Sequence, residues 1–184
     1  MRFDLTQLGR HGRGDDQLDR TYEPSAFRYA GQNVDDEGYA IVAPVHLVMD
    51  VHKQAEVYRV TGRVDGTLRL DCGRCLEPFD VPVDTTFELR YVPASENEGE
   101  GEREVADDDL TTAFYRENAI DLEELIREQF QLALPMKPLC SEACKGLCPE
   151  CGANLNTNPC ECKPTWADPR LGELSELLKN AKHS

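Results

Sequence analysis

The eight cysteines of this 184-residue chain fall into four close pairs. The pairs are Cys72/Cys75, Cys140/Cys144, Cys148/Cys151 and Cys160/Cys162. Four thiolates around one ion form the closed tetrahedral shell of structural zinc, so four pairs predict two zinc ions per chain. This pattern constrains the fold more than any other feature, because each ion requires four sulfur atoms to meet in space.

The last two pairs predict a compact zinc ribbon, which we call site 2 (Cys148, Cys151, Cys160 and Cys162). Pro149 stiffens the CPECG turn, and Gly152 lets backbone amides approach the sulfur atoms. The turn-rich stretch NLNTNP separates Cys151 from Cys160, which allows the loop to fold back on itself. Site 2 is therefore predicted to close locally.

The remaining cysteines predict site 1 (Cys72, Cys75, Cys140 and Cys144). CGRC fits a tight turn between strands, and CSEAC has a one-turn spacing. A metal held by both pairs would cross-link a β-sheet to the segment after a helix. The alternative for all eight cysteines is a set of buried thiols or disulfides.

The cellular compartment expected for this chain favours metal binding by the cysteines over disulfide bonds. The N-terminal segment lacks the apolar stretch of a signal peptide, and no apolar run reaches the roughly 20 residues of a membrane span. We therefore expect a cytoplasmic protein without membrane partners, in a reducing environment where paired cysteines typically bind metal.

The hydrophobic pattern predicts an α+β fold, with an antiparallel β-sheet packed by a helix and followed by a zinc-ribbon-like module and a terminal helix. Apolar residues alternate from residue 39 to residue 93, as in half-buried strands. Asp65-Gly66 predicts a hairpin turn, and Pro82 and Pro93 predict a strand at a sheet edge or at its end. Residues 11–20 are predicted to form a loop.

Two helices are expected. The first, at 121–134, begins with the capping pattern of Asp121 and Glu124 and buries an apolar stripe against the sheet. The second begins at Asp168 near the C-terminus. The predicted domains are a β-rich core at 1–138, and a cysteine-rich module with the terminal helix at 139–184 that shares site 1 with the core.

Nothing in the sequence predicts catalysis. Catalytic zinc keeps one coordination position open and usually has histidine ligands, whereas the histidines here lie outside the cysteine module. The phosphate-binding, serine-hydrolase and metalloprotease motifs GxxxxGK[ST], GxSxG and HExxH are missing from the sequence. We expect a binding protein and no catalytic residues.

The net charge of the chain limits the kinds of partner that it can bind. The formal net charge is -15, which repels phosphate backbones at long range, so any contact with RNA must be local. The candidate RNA-contact residues are the basic side chains close to the cysteine pairs in the sequence: Arg63, Arg69, Arg74, Lys137, Lys145 and Lys163. Residues 95–109 are strongly acidic and predict a solvated loop.

Four segments together resemble the DUF177 family, also called the YceD family or large ribosomal RNA subunit accumulation proteins. They are LDCGRCLEPF at 70–79, IDLEELIREQFQLALPMKPLC at 120–140, KGLCPECGANLN at 145–156 and DPRLGELSELL at 168–178. The resemblance implies a bacterial cytosolic protein needed for accumulation of large-subunit ribosomal RNA. It implies a process and no biochemical mechanism.

Three functions remain open at this point. The first is a zinc-binding factor in ribosome biogenesis that binds precursor ribosomal RNA or a large-subunit assembly intermediate. The second is an acidic adaptor that captures a basic ribosomal protein. The third is a thiol-based redox or zinc sensor, which requires exposed cysteines of low pKa.

Deletion of residues 95–109 should leave the free energy of unfolding within about 1 kcal/mol of the intact chain, because shortening a loop changes its closure entropy only slightly. This stretch has almost no apolar side chain to bury. Denaturant unfolding of intact and deleted protein measures the difference. Loss of folding would show that the segment is a structural part of the core.

Overall fold

A computed structural model describes residues 1–8, 15–27, 38–94 and 111–162. Contacts group the chain into two compact units, one of Met1–Cys72 with Glu77–Cys140 and one of Gly73–Leu76 with Ser141–Ser184. The predicted acidic loop and terminal helix lie outside the described residues. The division into domains at 138/139 stays a prediction.

The first unit is a mixed α+β structure, as the sequence predicts. Its strands are β1 (Arg2–Asp4), β2 (Asp15–Tyr22), β3 (Ala40–Ile41), β4 (Val45–Gln54), β5 (Val57–Asp71), β6 (Pro78–Pro93), β7 (Thr112–Tyr115) and β8 (Ala119–Asp121), and its α-helix is α1 (Leu122–Ala133). Short 3-10 turns follow β1 and β2, at Leu5–Gln7 and Pro24–Phe27.

Within the described part of the chain, six strands form the main sheet in the order β2-β4-β5-β6-β7, with β3 also paired to β5. All of these pairings are antiparallel except β6 with β7, and β1 pairs separately with β8. Strand β4 shows why the sheet forms here: alternate residues from Val45 to Val51 are fully buried. Burial of one face of the sheet therefore confirms the predicted period of two.

Helix α1 begins where the sequence predicts. The side chain of Asp121 accepts hydrogen bonds from the backbone N–H groups of Glu123 and Glu124, which satisfies two free donors at the helix start. Leu125, Ile126 and Phe130 are buried on its apolar face. The helix thus covers the buried face of the sheet, as expected.

The hairpin predicted at Asp65-Gly66 is wrong. Strand β5 continues through both residues, with Asp65 paired to His46 of β4 and Gly66 paired to Val83 of β6. A Cβ atom on Gly66 would lie 3.0 Å from Cζ of Phe130, so this glycine makes room for the helix and does not form a turn. The chain reverses between β4 and β5 instead, where Ala55 has a φ of 58°.

The loop predicted for residues 11–20 is also wrong from Asp15 onward, because β2 pairs with β4 over Asp15–Tyr22. Only Leu18 of this strand is buried. One apolar residue among charged neighbours gives no detectable alternation, so the sequence pattern missed an edge strand that β4 holds by backbone pairing.

Among the described residues, β6 has a second neighbouring strand over only part of its length, which agrees with the proline signals. It pairs with β5 over Pro78–Tyr91, but β7 pairs with it only over Arg90–Pro93. Pro82 lies in the stretch for which the described residues provide one neighbouring strand, and Pro93 is the last residue of the strand. Proline is tolerated there because it has no backbone N–H to lose from a second ladder.

The substitution Gly62→Ala should destabilise the sheet by about 1–3 kcal/mol or more through overpacking. A Cβ atom at Gly62 would lie 2.5 Å from the backbone oxygen of Val48 and 2.7 Å from Cζ of Phe87. Urea unfolding of the wild type and the variant, under identical metal conditions, measures the loss.

Gly66→Ala is the matched control, because its nearest neighbour is the end of the Phe130 side chain, which can shift more easily than backbone. We expect a smaller loss of stability for this variant. Equal stability of Gly62→Ala and wild type would contradict the close packing described for β5.

Candidate metal centres

The structure brings the eight cysteines together in two groups of four. One group is Cys72, Cys75, Cys140 and Cys144, and the other is Cys148, Cys151, Cys160 and Cys162. Within each group the sulfur atoms all lie within 4.8 Å of one another. Zinc–sulfur bonds of about 2.3 Å place tetrahedral sulfur atoms about 3.8 Å apart, so both groups could hold a metal ion with little adjustment.

The CGRC turn supplies two thiols of site 1. Its start is fixed by the backbone N–H of Cys72, which donates to the oxygen of Glu77 at 3.0 Å. Cys72, Cys75 and Cys144 are buried, whereas Cys140 is exposed. Burial of three of the four thiols is typical of a structural site, because it limits access of solvent and oxidants to the sulfur atoms.

Arg74 anchors the tip of this turn within the second unit. Its Nη1 donates to the backbone oxygens of Cys144 at 2.9 Å and Glu142 at 3.3 Å. Its own carbonyl accepts from the N–H of Leu147 at 3.1 Å. Gly146, at φ +75°, leaves space for this contact, since a Cβ there would lie 3.1 Å from the Arg74 oxygen. The geometry therefore gives Arg74 a structural role.

Site 2 is built by a short turn and a returning segment. The N–H of Gly152 donates to the oxygen of Cys148 at 2.9 Å, and the N–H of Cys148 donates to the oxygen of Ala153 at 2.8 Å. Gly152 has a φ of 72°, which the turn requires. Cys148 is buried and Cys160 half-buried, while Cys151 and Cys162 are exposed. Site 2 is thus the more accessible of the two groups.

The thiols of site 2 influence one another's ionisation. Backbone N–H groups of Cys151 and Glu150 lower the pKa of the Cys148 thiol to about 7. The neighbouring thiols of Cys151 and Cys160 raise the pKa of Cys162 to about 12. Thiolates this close repel one another, so a bound dication would allow all four to ionise together.

Two of the candidate RNA-contact residues face carboxylates on the exposed side of the sheet. The carboxylate of Asp80 accepts two hydrogen bonds from the guanidinium of Arg69, at 2.7 and 2.9 Å. The carboxylate of Asp84 accepts two hydrogen bonds from Arg63 in the same bidentate arrangement. An arginine paired in this manner offers little net charge to a phosphate. Sequence spacing gave no sign of these partners, which lie opposite only because β5 and β6 are in register.

The remaining candidate RNA-contact residues are lysines. Lys137 and Lys145 are exposed, and Lys163 lies outside the described residues.

Sequence reasoning also missed Asn156, whose side-chain nitrogen lies 3.3 Å from Sγ of Cys144. An asparagine in a turn-rich loop is too common a feature to be singled out from sequence.

Among the residues that the structure describes, no helix is long and apolar enough to span a membrane.

Most of the chain matches a known protein family. Residues 60–178 match the family described as large ribosomal RNA subunit accumulation protein YceD. The chain belongs to the YceD family. The match includes all eight cysteines of sites 1 and 2.

Several curated members of the family and other relatives are similar along much of the chain. An uncharacterised protein of Mycobacterium tuberculosis is 31% identical over 180 residues, which cover 97% of this chain and 81% of the relative. The chloroplastic YCED homolog 1 of Zea mays is 29% identical over 158 residues, 73% of this chain and 54% of the maize protein. The protein YlbN of Bacillus subtilis is 28% identical over 167 residues, 81% of this chain and 90% of YlbN.

This chain therefore spans about half the length of the maize relative. No solved structure matches it.

We expect the purified protein to carry two zinc ions per chain, because each group of four thiols fits one tetrahedral ion. Native mass spectrometry measures the stoichiometry. Cys144→Ser and Cys148→Ser should each remove one ion. A wild-type value of one would eliminate one of the sites, and a value of zero would eliminate both.

The same Cys148→Ser variant should disorder the site 2 loop but leave the sheet folded, since the sheet has its own buried core. Amide-resolved NMR should show changes concentrated near residues 145–162. Collapse of the sheet resonances would mean that the core depends on site 2.

Proposed function

We propose that this chain is a zinc-binding, non-enzymatic factor of ribosome biogenesis that promotes the accumulation or processing of large-subunit ribosomal RNA in the cytoplasm. One observation carries the proposal: residues 60–178 match a family named for accumulation of that RNA. The matched stretch contains both groups of cysteines, so the candidate metal sites lie within the part of the chain that matches the family.

The ligand chemistry supports zinc and argues for a structural role. Four thiolates at tetrahedral spacing suit zinc, which is redox-inactive and is commonly bound by four cysteines in structural sites. Four protein ligands leave no open position for water or substrate at the ion. We take site 2 to be the zinc ribbon, and we assign no catalytic residue in the chain.

Any RNA contact in this proposal is local. The net charge of -15 opposes broad electrostatic attraction, and the carboxylates of Asp84 and Asp80 already hold Arg63 and Arg69. The exposed Lys137 and Lys145 are the better candidates, with Lys163 added from the sequence. Arg74 is a weaker candidate because its guanidinium binds the carbonyls of its own unit.

The pairing of the sheet's arginines also favours a second candidate, an acidic adaptor that captures a basic ribosomal protein. Arg59, Arg63 and Arg69 each face a carboxylate across β5 and β6, so the excess charge of the protein remains negative. Opposite charge on a partner protein would speed their encounter. The two candidates differ in what the chain touches, which is RNA in the first and protein in the second.

Crosslinking of the full chain in cells, with the crosslinked residues identified, separates these candidates. For a factor that contacts RNA, we expect crosslinks from large-subunit ribosomal RNA to peptides around residues 137 and 145. Crosslinks confined to a basic ribosomal protein would favour the adaptor. Association with neither would contradict both.

Charge reversal gives a quantitative test of the RNA contact. The double variant Lys137→Glu/Lys145→Glu should weaken binding to large-subunit RNA and reduce the slope of log K against log salt by about 2, roughly one unit for each lost phosphate contact. Lys53→Glu/Arg90→Glu, two reversals on β4 and β6, is the control with the same change in net charge. Equal weakening by both variants would show a general charge effect and no local contact.

A further inference from the structure

The side chain of Asn156 connects the loop of site 2 to a ligand of site 1. Its Nδ2 donates to Sγ of Cys144 at 3.3 Å. Asn156 lies between Cys151 and Cys160, which are ligands of site 2, whereas Cys144 is a ligand of site 1. One amide group of the second unit thus connects the loop of site 2 to one ligand of site 1.

The orientation of this amide is fixed by its other bonds. Its Oδ1 accepts from the backbone N–H of Lys145 at 2.8 Å, so the nitrogen must face the sulfur. Its Nδ2 also donates to Oδ1 of Asn154 at 3.0 Å. The amide therefore presents a donor and not an oxygen to Cys144.

The loop that carries Asn156 lies between Cys151 and Cys160 of site 2, and backbone hydrogen bonds hold its first part in place. The backbone pairs Leu147 with Asn154, and the N–H of Leu155 donates to the oxygen of Gly146 at 2.9 Å. Binding of one ion by Cys151 and Cys160 would close this loop and remove much of its conformational freedom. Asn156 would then already be in place when Cys144 binds its own ion.

We propose that Asn156 is a positioning residue that makes metal binding at sites 1 and 2 cooperative. This inference rests on the metal binding proposed above. A hydrogen bond to a thiolate stabilises its negative charge and fixes its direction, and loss of such a partner typically lowers metal affinity about 10–100-fold. Because coupling is reciprocal, an ion at site 1 raises the affinity of site 2 by the same factor.

The test uses the full chain loaded with cadmium-113, whose NMR resonance reports each site separately, and a competing chelator to measure affinity. Cys144→Ser and Cys148→Ser assign the two resonances. Asn156→Ala should weaken site 1 by about 10–100-fold and shift its cadmium resonance. A role confined to folding of the loop would not shift the cadmium resonance of site 1 in this selective way.

Two further variants control the result. Asn156→Asp keeps an acceptor for the N–H of Lys145 but places a carboxylate oxygen beside Cys144, so it should weaken site 1 at least as much as Asn156→Ala. Asn158→Ala changes an exposed asparagine of the same loop and should leave both affinities unchanged. Preserved amide resonances of the sheet verify that each variant folds.

A double-mutant cycle with Cys160→Ser measures the coupling itself. In the wild-type background, disabling site 2 should weaken site 1 about tenfold or more, whereas in the Asn156→Ala background it should weaken site 1 no further. Two bound ions with a site 1 affinity unchanged by Asn156→Ala would overturn this inference alone. Failure of the wild type to bind any ion would overturn the proposed metal function together with it.

Discussion

Close packing at the middle of β5 is the constraint on which the core of the first unit depends. Strand β5 is paired on both sides, and two of its residues, Gly62 and Gly66, have no side chain to occupy the buried face. The ring of Phe87 fills the space over the first glycine, and the ring of Phe130 fills the space over the second. Because glycine has no side chain, both rings find space against β5, and the ring of Phe130 brings helix α1 onto the buried face of the sheet there.

Much of this architecture could be predicted because it depends on short-range patterns. Alternating apolar residues in β4 and β6, the cap at Asp121 and the amphipathic stripe of α1 each lie within a few residues of one another. The two groups of cysteines could also be predicted, although some of their members lie far apart in the sequence, and the reason is chemical. Pairs of thiols can be combined in few ways, and the local closure of Cys148 with Cys160 leaves one partner set for Cys72.

The remaining features depend on contacts that a local pattern does not contain. Asp65-Gly66 is a typical turn sequence, yet Gly66 serves to leave space for Phe130, which lies 64 residues further along the chain. Arg69 resembles a free cation until the register of β5 and β6 places Asp80 opposite it. The role of Asn156 depends on its hydrogen bond to Sγ of Cys144, an atom that lies close to it only in the folded loop. In each case the information lies in tertiary neighbours.

Over most of β6, the described residues provide no strand on the side away from β5, and the sequence there limits how a strand could be added. Pro78 and Pro82 interrupt the row of N–H groups that an added strand would need, and Asp80 and Asp84 alternate with them along the same stretch. An extended peptide cannot continue the sheet across these positions without losing backbone hydrogen bonds, and a second copy of the chain faces the same obstacle. A partner that bound at this edge would therefore have to rely on side chains, which discriminate between partners in a way that backbone pairing does not.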